Sequence, residues 1–198
     1  MSGLLLPLRP LARYADFKGR SGRAEFWAFT LLLWVVYGGL YAWMLTPLVP
    51  VFQGQTPGVE IFIHILTSVG VMSLVGLVLF LPALAVQVRR LHDINRSGWW
   101  VILPTGLSMA GQQLAYIFQS GDIMRTTMQA SQAAEAMAGP SLDFARLWDA
   151  YWPLYQVVLP WAFGPSLAGY LVLLIFFLSP GSNGENRFGQ NSRLGATT

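Results

Sequence analysis

The residues able to do chemistry gather in three polar stretches. Residues 17–27 carry Lys18, Arg20, Arg23 and Glu25; residues 88–100 carry Arg89, Arg90, His92, Asp93 and Arg96; residues 179–189 carry Glu185 and Arg187. Guanidinium groups present a planar fork of donors that matches carboxylate and phosphate oxygens, so such clusters suit anionic partners. If residues 88–96 are helical, Arg89, Asp93 and Arg96 share one face at spacings of four and three, and Asp93 can bridge both guanidiniums. His92 then lies on a neighbouring face. His92 and Asp93 also have the composition of an acid–base pair, but adjacent helical residues point in different directions. Ser97, the nearest nucleophile in sequence, has no defined geometry toward them.

The elements that must position these residues are hydrophobic spans. Of the 198 residues 54% are hydrophobic and only 11% charged, with mean hydropathy +0.49. Soluble domains carry about 25% charged residues. No Asp, Glu, Lys or Arg falls between Glu25 and Glu60, Glu60 and Arg89, Arg96 and Asp122, or Asp149 and Glu185. Each gap can hold the ~20 residues that cross a ~30 Å hydrocarbon core. The pattern excludes a soluble enzyme and a disordered chain. It predicts an all-α polytopic membrane protein: one integral domain with four transmembrane helices at 26–45, 61–88, 99–118 and 154–178, plus short interfacial helices.

Local signals refine that outline. Gly22 is placed to N-cap the first span, with Glu25 at the third helical position, able to reach back to a free amide. Pro82 removes an amide donor within the second span and predicts a kink there. Residues 119–152 read as an insertion outside the lipid. It contains a weak helix over 122–138 ended by Gly139-Pro140, then a short helix capped by Ser141. In that helix Phe144, Trp148, Tyr151 and Tyr155 share a face opposite Asp143, Arg146 and Asp149, which suits the membrane interface. Pro160, Gly164 and Pro165 interrupt the fourth span, which reads as one kinked helix, with a re-entrant first half as the alternative. The N-terminus lacks the h-region and cleavage site of a signal peptide, so the first span serves as the insertion signal.

Basic residues set the orientation. Arg9, Arg13, Lys18, Arg20, Arg23, Arg89, Arg90, Arg96, Arg187 and Arg193 lie on one side of four spans, against Arg125 and Arg146 on the other. The positive-inside rule puts segment 1–25 and tail 179–198 in the cytoplasm, and 119–152 in the periplasm. With Asp16, Glu25, Asp93 and Glu185 as the acids of that side, six positive charges remain in surplus. Eleven of the twelve basic residues are Arg and most flank spans, so membrane topology explains the basicity and nucleic acid is not an expected partner.

The three polar stretches together resemble a known family. Gly19-Arg20…Arg23…Glu25-Phe26-Trp27, then Arg90-Leu91-His92-Asp93…Arg96-Ser97-Gly98-Trp99-Trp100, then Pro180-Gly181…Asn186-Arg187-Phe188-Gly189 are similar to the signatures of the bacterial inner-membrane family catalogued as domain of unknown function 805. The likeness covers about residues 14–190. It departs at Gly22, where a Ser cap would complete the capping box, and segment 119–152 adds nothing to it. The resemblance implies a small helical membrane protein of unknown activity and names no substrate, cofactor or catalytic residue.

Physical chemistry carries the rest. Surplus Arg beside Trp at a headgroup boundary predicts a surface that binds anionic phospholipid or a protein partner. The candidate ligand-binding residues are Arg20, Arg23, Glu25, Arg89, Arg90, His92, Asp93, Arg96 and Arg187. The same residues also have a reading without any ligand: Arg at span ends sets topology, Trp anchors the interface, and Gly and Pro end helices. Two further classes stand as alternatives. One is a membrane enzyme acting on a phosphorylated or lipid-headgroup substrate through His92, Asp93 and the arginines. The other is a small transporter or channel subunit, which as a four-span pore needs a homo-oligomer and has only sparse polar lining such as Gln87, Gln112 and Gln113. Cysteine is absent, and His64 and His92 lie near opposite faces of the membrane, so no metal site is expected. Residues 184–189 follow no strand and form no dinucleotide fingerprint.

Overall fold

The computed structural model describes residues 5–52, 58–136 and 144–190. Among them six α-helices form: α1 (Arg9–Ala12), α2 (Arg23–Leu45), α3 (Val49–Phe52), α4 (Val59–Asp93), α5 (Leu103–Ala136) and α6 (Phe144–Leu178). The described residues contain no strand beyond an isolated antiparallel bridge between Asn186 and Gly189. The all-α expectation holds. Among the described residues three helical stretches are long and apolar enough to cross a membrane: Arg23–Leu48, Val59–Asp93 and Trp148–Leu178.

The expected crossing at 99–118 is helical but is not among those three. It begins as a 3-10 turn, Gly98–Ile102, and continues into α5. Ser108, Gln112 and Gln113 dilute its apolar character. The helix then passes a non-helical residue, Gln119 (φ −123°, ψ 15°), and runs on to Ala136. The weak helix expected after residue 122 is therefore the second half of α5. The Gly139-Pro140 break, the Ser141 cap and Asp143 lie outside the described residues.

A second difference concerns α6. The interfacial helix and the fourth span are one helix of 35 residues that contains Pro153, Pro160 and Pro165. Prolines are tolerated in spanning helices where hydroxyls and neighbouring helices serve the local carbonyls. Here Ser108 Oγ on α5 donates to the Ala162 carbonyl at 3.0 Å, and Ser166 Oγ donates to Phe163 O at 2.9 Å.

The chain divides into two compact units. One comprises the described residues up to Gly98 and from Phe177 onward; the other is Trp99–Phe176. In the first, α2 packs along α4, and Phe26, Phe29, Ala85, Val86 and Leu91 are buried. At 35 residues α4 is about 52 Å long, well beyond the ~30 Å core. Its C-terminal turns leave the apolar window and enter a polar cluster. At the opposite end of α4, His64 Nε2 lies 3.1 Å from the Trp43 carbonyl and its ring meets the indole edge-on. The N-terminal stretch Leu6–Ala12 is helical and packs against α2. Tyr14, just beyond it, hydrogen-bonds the Val78 carbonyl of α4.

Candidate functional site

The C-terminal end of α4 is where the polar stretches meet. The helix stops because Asn95 adopts a left-handed conformation, φ 59°. The Asn95 amide then returns to His92 O (3.0 Å) and the Arg96 amide to Leu91 O (2.9 Å). This is the paired closure by which helices commonly end, with Asn as the tolerated alternative to Gly. The Asp93 carbonyl still lacks a donor and the His92 carbonyl can accept a second, and the tail supplies both. Asn186 Nδ2 donates to His92 O at 2.9 Å; the Ser182 amide and hydroxyl donate to Asp93 O at 2.8 and 3.0 Å. Asn186 Oδ1 in turn accepts the Phe188 amide at 2.9 Å, which holds the tail's turn closed.

Asp93 is the hub of the charged groups. Its Oδ1 accepts Nε and Nη2 of Arg20 at 3.0 and 2.9 Å, and its Oδ2 accepts Nη1 of Arg90 at 2.7 Å. All three side chains are buried, at 4% exposure or less. The remaining Arg20 donors reach the carbonyls of Gly184 and Ser182, both at 2.7 Å. Arg90 donates to Phe177 O at 3.1–3.2 Å and to Ser179 O, so it caps the last turn of α6. Residues 20, 93 and 181–189 are thus clasped into one cluster with the ends of two helices.

Arg89 faces a different partner set. Its Nη1 donates to Asp16 O at 2.5 Å and its Nη2 reaches Glu25 Oε1 at 3.4 Å. Its carbonyl accepts the Ser21 amide at 3.0 Å. Two expectations are corrected here. Asp93 takes Arg20 and Arg90, while Arg89 turns to Glu25; three buried guanidiniums compete for two carboxylates, and proximity in the folded chain decides. Gly22 does N-cap α2, but without a side-chain bond, and Glu25 pairs with Arg89. Three buried positive charges face two carboxylates and the carbonyl ends of α4 and α6, whose partial negative charge completes the balance.

The other nominated residues stand at the rim. Arg23, Arg96 and Arg187 are exposed. Arg187 Nη2 touches Asn95 O at 3.3 Å and its guanidinium lies 4.7 Å from the Phe188 ring centroid. Phe188 stacks flat on His92, with centroids 3.8 Å apart and planes 5° from parallel. His92 Nδ1 lies 3.2 Å from Gly19 O. The His92 and Asp93 side chains therefore serve separate partners, and no acid–base pair is assembled.

Chemically the cluster is a closed fastening with a basic rim. The forks of Arg20, Arg89 and Arg90 are buried against protein acceptors, and Arg23, Arg96 and Arg187 are exposed at the rim. Ser182 and Asn186 were not nominated from sequence, although both lie in the Pro-Gly…Asn-Arg-Phe-Gly stretch. Their signal was a polar side chain within a turn-rich tail, which has no direction until the tail's path is known.

Three apolar helical stretches and a buried Arg–Asp–Arg fastening define a helical protein of membrane type. The family described as protein of unknown function (DUF805) matches residues 14–190, and the chain belongs to it. It is 38% identical over 96 residues to inner membrane protein YhaH of Escherichia coli K12, covering 48% of this chain and 69% of that protein. It is 25% identical over 189 residues to inner membrane protein YhaI of the same organism, covering 96% of each. No solved structure matches the chain.

Proposed function

We propose that this chain is a multi-pass protein of a bacterial inner membrane that does no catalysis and binds anionic phospholipid at a cytoplasmic basic rim. In this reading both termini are cytoplasmic, residues 99–118 make a fourth crossing, and the chain is one integral domain with 119–152 outside. The observation that carries it is the division of labour among the arginines. Arg20, Arg89 and Arg90 are buried in the fastening, while Arg23, Arg96 and Arg187 are exposed around it. Exposed guanidiniums on the basic side of a membrane protein suit phosphate headgroups. The names of both relatives, inner membrane proteins, support the location.

Native mass spectrometry of the gently solubilised protein tests it. The expected result is retained phosphatidylglycerol or cardiolipin on the wild type, lost when Arg23, Arg96 and Arg187 are all changed to Ala. Equal lipid retention in the triple variant, a bare wild type, or a retained protein in place of lipid would each overturn the lipid reading.

A further inference from the structure

The unit Trp99–Phe176 carries a feature unrelated to the arginine cluster. Near its N-terminal end α6 bears Trp148, Trp152 and Tyr155, which share a face because they are spaced by four and three residues. Their rings form a ladder: Trp148 and Trp152 are 5.2 Å apart at 25°, and Trp148 and Tyr155 are 6.2 Å apart at 28°. All three are exposed, Trp148 at 57%. The same spacing continues through Leu159, Phe163, Ser166 and Tyr170. Along this continuation, between Leu159 and Tyr170, runs an open groove of about 390 Å³.

The groove's lining is almost entirely apolar. Its lining combines Pro160 and Gly164, which add little bulk, with the larger Phe163, Leu167 and Tyr170. The Ser166 hydroxyl is spent on helix carbonyls. Eleven residues of rise make it about 17 Å long, close to the ~15 Å depth of one bilayer leaflet. The ladder lies just beyond one end, and indole N–H and phenol O–H groups favour the ester and headgroup layer.

We propose that this face of α6 is a phospholipid site, with one acyl chain in the groove and the glycerol–headgroup region against Trp152 and Tyr155. The dimensions fit a single leaflet, and the groove continues the exposed face of a helix long and apolar enough to cross the membrane. A second protein helix is a poorer occupant. Helix pairs in membranes pack along seams of small residues, whereas this groove is flanked by the large exposed rings of Phe163 and Tyr170 and ends on an aromatic ladder. The site rests on Trp148–Leu178 crossing the bilayer and is independent of the arginine rim.

The test uses the full chain in vesicles of phosphatidylethanolamine and phosphatidylglycerol doped with a phosphatidylethanolamine carrying a diazirine in mid-chain. After illumination, mass spectrometry should find adducts concentrated between Leu159 and Tyr170, and they should be lost in Gly164→Leu. A Cβ at Gly164 meets no atom within 4 Å, so the new side chain has room to enter the groove. Gly106→Leu, equally open and on α5, should keep the adducts. Adducts spread evenly over the exposed faces, or unchanged in Gly164→Leu, would mean ordinary bilayer contact and overturn the site. So would a disulfide-linked dimer of Phe163→Cys in this cysteine-free chain. The wild-type adduct map decides the matter even if a variant fails to fold, and lipid retention at the arginine rim is read separately.

Discussion

The hydroxyl of Tyr14 donates a 2.6 Å hydrogen bond to the carbonyl of Val78. That carbonyl is the one orphaned by Pro82, whose ring nitrogen cannot return the usual bond from four residues on. A residue ahead of the first long helix therefore repairs a defect in α4, which continues through Pro82 to Asp93. Tyr14→Phe should cost about 1–2 kcal/mol, because a carbonyl in a water-poor setting loses its donor. In a Pro82→Ala background, where an amide is restored, the same substitution should cost little. Unfolding in detergent across this double-mutant cycle measures the coupling. Equal costs in both backgrounds would show that Tyr14 acts elsewhere.

Asp93 should be the most sensitive acid in the protein. Asp93→Asn leaves Arg20 and Arg90 buried without the carboxylate charge they share, and breaking a buried pair in this way costs about 3–5 kcal/mol. Arg96→Ala, an exposed change, should stay within about 0.5 kcal/mol. Thermal unfolding followed by Trp fluorescence separates the two. Near-equal midpoints would mean that the fastening contributes little to stability.

Much of this arrangement was legible in the sequence, because its causes are local. Uncharged stretches between Glu25, Glu60 and Arg89 predict long apolar helices, and α2 and α4 answer to them. The three polar stretches, read as one set, meet in the folded chain. The partner of each charge was not legible. Helical spacing joined Asp93 to Arg89 and Arg96, but the folded chain brings Arg20, seventy-three residues away, to its carboxylate and adds Arg90 from the preceding turn. Helical spacing records only neighbours on one helix, whereas the path of residues 181–189 decides the rest. The prolines of α6 read as kinks within one helix, and the helix is continuous through them; that it also absorbs the interfacial helix ahead of Leu154 was not legible. A proline reads as a break in water, yet a packed helix in an apolar setting continues through it.

Asp16 supplies a pH signature. Its carboxylate accepts two bonds from Arg13, at 2.6 and 2.9 Å, and the Lys18 amide at 3.0 Å. These hold its pKa below the ordinary Asp value, with the Arg13 hydrogen bonds as the main cause and the Lys18 amide second. A depressed carboxylate stabilises the fold fully above its unfolded pKa, about 3.9, and the contribution fades as pH falls through the lower folded value. Asp16→Asn should therefore flatten the acid limb of a midpoint-against-pH curve and leave its slope near neutrality unchanged. Because the group is well exposed, the effect should shrink in high salt. An acid limb identical to wild type would remove Asp16 from the account.

Two glycines of the tail should fail for different reasons. A Cβ on Gly181 would lie 2.1 Å from Asp93 Oδ2 and 2.8 Å from its Cγ. Asp93 is short and gripped by Arg20 and Arg90, so it cannot yield without opening the fastening. Gly181→Ala should cost at least the ~1–3 kcal/mol of an overpacked core. Gly184 faces open space but has φ +75°, so Gly184→Ala should cost only the ~1–2 kcal/mol of a left-handed backbone. The two costs respond differently to Asp93→Ala. Removing the carboxylate should relieve most of the added penalty at Gly181 and none of that at Gly184. Midpoints in detergent of Asp93→Ala and of the two glycine variants, alone and combined with it, test this directly. A Gly181→Ala penalty that survives intact in the Asp93→Ala background would place the obstruction in the tail's own backbone and not at the hub of the cluster.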